Sequence, residues 1–258
     1  MNSPPPSLIL SGVSSSSRTL DVKLRFKASS QIESPEEYAR MVDAFVLVGA
    51  QGGFPAPGFA PHQASLSLGA GATPVPGVPA FELHSNVLDP RAFQVLRNMF
   101  ARQTGDRPSV EAILVSDRQR RDAPSIIVPV ADENNEPDVY PGISRKIPFA
   151  VEWEQSEFGK VRRFLIEMRT PVEPATVVEV GEWTKPWSRI LEAGGFGPPV
   201  CEADQPGCLV GSITQFDEIT LEFVVNRFIA SECSWNVLIN MLDAYSHSSI
   251  LVSRIIID

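Results

Sequence analysis

Residues 19–27, TLDVKLRFK, alternate strictly: Val22, Leu24 and Phe26 fall on one face, and Asp21, Lys23, Arg25 and Lys27 on the other. A period of two marks a strand buried on one side. The period then changes. Tyr38, Met41, Val42, Phe45 and Val48 recur at helical spacing. They follow Ser34 as N-cap, Pro35 at the first helical position and Glu37 as the return arm of a capping box. Residues 63–69 (QASLSLG) predict a short edge strand, 80–87 (AFELHSNV) a second strand, and 109–117 (SVEAILVSD) a closing one. Between the last two, DPRAFQVLRNMFARQ predicts a helix capped by Asp89 with Pro90 at its first position.

The second part of the chain repeats this order. VRRFLIEMR (161–169) predicts a strand with Phe164, Ile166 and Met168 inward, and TKPWSRILEA (184–193) a short helix. CLVGSI (208–213) and EITLEFVVNRF (218–228) predict strands, SECSWNVLINMLDAYS (231–246) a helix, and SSILVSRIIID a final strand apolar enough to be central. Short identities support a duplication. VLRNMF at 95–100 matches VLINML at 237–242, and GGF at 52–54 matches GGF at 194–196, both at an offset of 142 residues. FELHSNV at 81–87 aligns with LEFVVNR at 221–227 (offset 140), and AILVS at 112–116 with SILVS at 249–253 (offset 137). The pattern predicts a repeated unit of roughly 110 residues.

Strand, helix, strand, strand, helix, strand is the order of the ferredoxin-like split βαβ unit. The expected fold is therefore α+β: two such units, each a mainly antiparallel sheet with two helices on one face. Residues 1–117 form the first half, 118–146 a charged, proline-rich connector, and 147–258 the second half. Each half gains a leading strand, SLILSGV in the first and IPFAVEWE in the second, the latter expected to form a hairpin with KVRRFLIEM.

The glycine pair in LVGAQGGFPAPG (47–58) invites comparison with a phosphate loop. In both copies, however, it follows a predicted helix, where the partial charge is negative and repels an anion. Glycine just past a helix, with proline soon after, is a helix stop.

Composition narrows the function. The chain has 258 residues, 43% hydrophobic and 21% charged, with a formal net charge of -9. That balance argues against broad nucleic-acid binding. The exposed sheet faces also lack the aromatic residues on which an RNA-binding sheet stacks bases. No signal-like or membrane-length apolar run is present, so a cytoplasmic address without membrane contact is expected. The cysteines, Cys201, Cys208 and Cys233, read as free thiols. Their spacing, and that of His62, His84 and His247, fits no zinc pattern, and DENNEPD (132–138) departs from a calcium loop at Pro137 and Ile143. No metal or cofactor is expected.

No Walker, dinucleotide or nucleophile-elbow motif occurs. By period-2 geometry, Glu82, His84 and Asn86 share a face of one strand, and Glu222, Val224 and Asn226 the matching face of its repeat. Glu82, His84 and Glu222 are the acid–base candidates. Lys23, Arg25, Asn86, Glu167, Arg169 and Asn226 are the binding candidates of the open sheet faces. Asn98 and Asn240 sit at equivalent helix positions, where asparagine is a poor helix former, and predict a buried hydrogen bond or a role at an interface between the halves. The leading expectation is a non-enzymatic, acidic protein-interaction module of the inhibitor or immunity type, with a protein partner. The alternative is a small-molecule binder or enzyme with its site in a cleft between the halves.

Overall fold

The computed structural model describes residues 7–26, 35–69, 80–102, 110–120, 122–128, 147–154, 161–197, 208–227, 230–231, 233–248 and 252–258. Among them are two six-stranded sheets and four α-helices. The first part of the chain supplies β1 (Ser7–Ser11), β2 (Arg18–Phe26), α1 (Pro35–Ala50), β3 (Ser65–Leu68), β4 (Ala80–Asn86), α2 (Phe93–Arg102), β5 (Val110–Asp117) and β6 (Ser125–Val128). The second supplies β7 (Ala150–Trp153), β8 (Arg162–Met168), α3 (Pro174–Glu192), β9 (Leu209–Val210), β10 (Thr214–Gln215), β11 (Thr220–Asn226), α4 (Cys233–Ser248) and β12 (Val252–Ile257).

The first sheet has the order β3-β4-β2-β5-β1-β6. The second runs β10-β11-β8-β12-β7, with β9 also on β11, so that β9 and β10 share its outer edge. The central pairings are antiparallel in both, and each sheet has one parallel pair, β1 with β5 and β7 with β12. The expected hairpin between β7 and β8 does not form. The apolar β12 inserts between them, pairing with β8 on one side and β7 on the other. An all-aliphatic Ile255–Ile257 run gains more from two strand neighbours than from an edge. Two further expectations are revised. Ser125–Val128, placed in the connector by its prolines and charges, pairs with β1 as part of the first sheet. α3 begins ten residues before the predicted Thr184 and carries Pro186 inside it. The Ser34 cap and the DENNEPD stretch lie outside the described residues.

Details of the backbone recur at the sequence offset. Gly52 and Gly194 end their helices at φ 77° and 76°. Gly53 N–H donates to Val48 O at 2.9 Å, and Gly195 N–H to Ile190 O at 2.8 Å, closing the same left-handed helix stop. Phe54 O then accepts from Asp89 N–H at 3.0 Å, and Phe196 O from Ser231 N–H at 2.9 Å. Val87 and Arg227, which follow the aligned strands β4 and β11, both sit at positive φ, 52° and 54°. The GGF stretches are thus helix stops, as their order along the chain predicts. Phe54 folds back to stack on Phe45 of α1 at 5.3 Å.

The core lies where the helices of the two halves meet. α1 packs along α3, α3 touches α4, and one continuous apolar cluster includes residues of both halves. Trp187 and Trp235, both fully buried, lie 5.2 Å apart, and Trp187 donates to Ser234 O at 2.9 Å. Burying side chains of this size contributes about 1.5–3 kcal/mol each. The contact across the seam is reciprocal. A Cβ on Gly53 would meet Val237 of α4 at 3.1 Å, and one on Gly195 would meet Val95 of α2 at 3.0 Å. Asn98 of α2 donates to Gly195 O (3.2 Å) and Gly197 O (2.9 Å) in the opposite half. The helices therefore occupy the space between the sheets, and each sheet turns its other face outward.

Candidate functional site

The outward faces carry the residues that the strand periodicity singles out. On the first sheet, Thr19 of β2 lies directly opposite His84 of β4. The Thr19 hydroxyl is 3.3 Å from His84 Nδ1, and His84 Nε2 is 3.4 Å from Glu82 Oε1. Arg118 donates to the other oxygen of Glu82 at 2.5 Å. Gly69 makes room for that carboxylate, since a Cβ there would come within 2.6 Å of Glu82 Oε1. Hydroxyl, imidazole and carboxylate stand in a row, the order used to activate an oxygen nucleophile. Both contacts of the imidazole are longer than a good hydrogen bond, however, and the His84 side chain is 48% exposed. Arg118 also holds Glu82 as an ion pair. Among the described residues nothing shields the half-exposed His84 from water.

The remaining candidates of this face are held in place or solvated. Asn86 accepts from the Ser17 hydroxyl at 2.6 Å and donates to Gln63 O at 3.0 Å, tying β4 to the loops beside it. Arg25 lies 3.4 Å from Glu111, and Lys23 is exposed.

On the second sheet the candidates form ion pairs across strands. Arg163 of β8 donates to Glu222 of β11, and its guanidinium lies 4.7 Å over the Phe216 ring. Arg254 of β12 donates to Glu167 at 2.6 and 3.0 Å and to Glu152 at 3.2 Å. The hydrogen bond to Glu167 raises the Arg254 pKa further above its ordinary value. Arg169 and Asn226 are exposed at strand ends. Glu82 and His84 therefore lie on one outward face and Glu222 on the other, and the fold does not bring the three together.

Two features escape a reading of the sequence. His62, in the turn before β3, stacks on His247 of α4 across the seam, with ring centroids 3.8 Å apart and planes within 7°. No spacing along the chain announces a pair formed by tertiary contact. The second is a groove of about 530 Å³ between α3 and the β9–β10 edge, lined by Val177, Val178, Glu182, Lys185, Arg189 and Phe223 among others. In the first half the corresponding place is closed, because Gly49 of α1 lets Leu66 of β3 press onto the helix. In the second half the edge strand is broken into two short pieces, and the gap opens. Val178 on its rim is 67% exposed.

Cys208 is a buried free thiol, and Cys201 lies outside the described residues. Among the described residues no group of three or more metal-ligating side chains occurs. No helix among them is long and apolar enough to cross a membrane.

No family model matches the sequence, and no characterised protein matches it. Solved structures that resemble it include pitrilysin (10% identity over 95% of this chain and 38% of that one, TM-score 0.26). A DyP-type peroxidase from Cellulomonas bogoriensis matches at 11% identity over 95% of this chain and 90% of that one, with a TM-score of 0.21. The periplasmic protease PqqL from Escherichia coli matches at 10% identity over 92% and 34%, with a TM-score of 0.18. The chain spans well under half the length of the two proteases. Likenesses at these scores carry no functional argument.

Proposed function

We propose that the chain is a non-enzymatic, acidic interaction module of the cytoplasm, built by duplicating a ferredoxin-like unit, and that it takes a protein partner in the groove beside α3. The strand orders and the recurring helix stops support the duplication. One observation carries the functional reading. The ionisable groups of the outward faces are largely tied to one another as ion pairs, whereas the groove offers an exposed apolar rim at Val178 with backbone and mixed charge beside it. A concave, partly apolar surface of this kind suits a segment of another protein. The net charge of -9 favours a basic or neutral partner over nucleic acid.

The test is capture of partners from the native host on immobilised protein, comparing the wild type with Val178→Asp. A partner retained by the first and lost by the second supports the reading. A preparation that retains nothing specific, or retains it equally with both, counts against it.

A second reading, a small-molecule binder or enzyme, draws support from the Thr19–His84–Glu82 row alone. Thermal-shift screening against metabolites, with His84→Ala as the control, separates it from the first. A ligand whose stabilisation disappears in that variant would favour it.

A further inference from the structure

His62 and His247 meet face to face across the seam, with ring centroids 3.8 Å apart and planes within 7°. Each comes from a different half. His62 stands in the short turn Pro61–Gln63 before β3, and His247 in the last turn of α4. Both residues are exposed. The same turn packs on the first helix stop, where a Cβ on Gly52 would meet Pro61 O at 2.5 Å and Ala244 of α4 at 3.0 Å. Whatever holds His62 on His247 therefore helps to hold the two halves together at this point.

Imidazole is the side chain that changes charge near neutral pH. A stack of two rings tolerates one proton, since a cation is attracted to an aromatic face. A second proton sets two positive charges at this spacing, and their repulsion changes an equilibrium constant by about fivefold even in water. Few other charges bear on the pair. Residues 51–63 and β3 contain no titratable side chain but His62, and the last two turns of α1 and residues 249–251 contain none. Behind the turn, Asp89 is held by Arg91. α4 adds Asp243, buried one turn before His247, and Tyr245, whose phenol faces Glu179 of α3. α3 otherwise meets α4 through Trp183 and Trp187, and Arg254 of β12 is tied to Glu152 and Glu167. The one carboxylate of α4 near the pair offsets a single charged ring, not two.

We propose that the His62–His247 stack is a pH-sensitive latch between the halves, closed while at least one ring is neutral and released when both are protonated. Release frees the turn from α4 and lets water reach the helix stop at Gly52. This inference is independent of the groove beside α3. The sign follows from proton binding. The unfolded chain takes up both protons freely and the latched chain only one, so stability falls as pH drops through the imidazole range.

Urea unfolding midpoints of the whole chain between about pH 7.5 and about pH 5 test it. The chain has three histidines, so substitution of each assigns the response. The wild type is expected to lose about fivefold in its folding equilibrium constant across that range, and less when salt rises from about 0.1 M to about 1 M. His62→Phe and His247→Phe each keep an aromatic ring in the stack and remove one proton, so neither should show the fall. His84→Ala removes the histidine beside Glu82 and should keep it. All three positions are exposed, and melting curves at about pH 7.5 confirm that the variants fold. Amide hydrogen exchange gives a local readout: at about pH 5, protection in residues 59–64 should drop in the wild type and not in the Phe variants. A wild type whose stability is flat over this range overturns the proposal. So does a fall that survives in either Phe variant, disappears in His84→Ala, or comes without loss of protection in that turn.

Discussion

Asn98 in α2 donates from its side-chain amide to the carbonyl of Gly197, 99 residues further along the chain, at 2.9 Å and out of reach of water. The same amide reaches Gly195 O. Two carbonyls of a helix stop in one half therefore depend on a helix of the other. Asn98→Ala should destabilise the chain by about 1–3 kcal/mol, the cost of leaving a buried polar group unsatisfied. Asn98→Asp should cost more at neutral pH, because it turns a carboxylate toward two carbonyl oxygens. Urea unfolding curves of the three proteins check the order.

The glycines of the helix stops are constrained by space. Gly195→Ala would put a methyl 2.6 Å from Ile190 and 2.8 Å from Met99, and Gly53→Ala one 2.5 Å from Val48. Each should lose about 1–3 kcal/mol through overpacking. At Gly181, inside α3, an added methyl would meet nothing within 4 Å. Gly181→Ala should gain about 0.5–1 kcal/mol from helix propensity, a change of opposite sign measurable in the same denaturation series.

Burial pushes the Tyr245 phenol above its ordinary value of 10.0, and the Glu179 carboxylate adds to this. Below pH 10 the phenol is neutral whether the chain is folded or not, and it contributes no slope. Above that, the unfolded chain releases a proton that the folded chain keeps, so stability falls by about 1.4 kcal/mol per pH unit. Urea midpoints between about pH 9 and about pH 11 should show this fall, and Tyr245→Phe should remove its share of it.

Asp117 is fully buried, with Arg18 Nε 3.0 Å from one oxygen and Gln119 N–H 2.8 Å from the other. Arg18→Ala strands the carboxylate and should cost about 3 kcal/mol. Asp117→Asn keeps the shape without the charge and should restore part of that loss when combined with Arg18→Ala. A double-mutant cycle measures the coupling.

Most of the strands and helices are legible in the sequence because their periodicity is strong. β2, α1, β4 and α2 each lie within a few residues of where the apolar spacing puts them, and the place of each GGF stretch after a helix marks it as a stop. The misses share a physical origin. The first half of α3 opens after Glu173, whose side chain makes no capping bond, and runs through β-branched Thr176 and Val177, while Pro186 in its second half reads locally as a helix start. β6 is four residues long and sits among prolines and charges. The β7 partner lies about a hundred residues away rather than in the adjacent strand. For the site, strand alternation correctly puts Glu82, His84 and Glu222 on outward faces. It carries no information about which face of each half turns inward, and so none about their separation.

The reciprocal contact at Gly53 and Gly195 has a consequence for how the chain behaves when cut. Each helix stop is packed in part by the last helix of the other half, Val237 of α4 against Gly53 and Val95 and Met99 of α2 against Gly195. A fragment ending before residue 129 and one beginning at 147 should each be poorly folded alone and should recover native circular dichroism when mixed. The intact chain should melt as one cooperative unit, whereas two transitions would mean that the halves are self-sufficient.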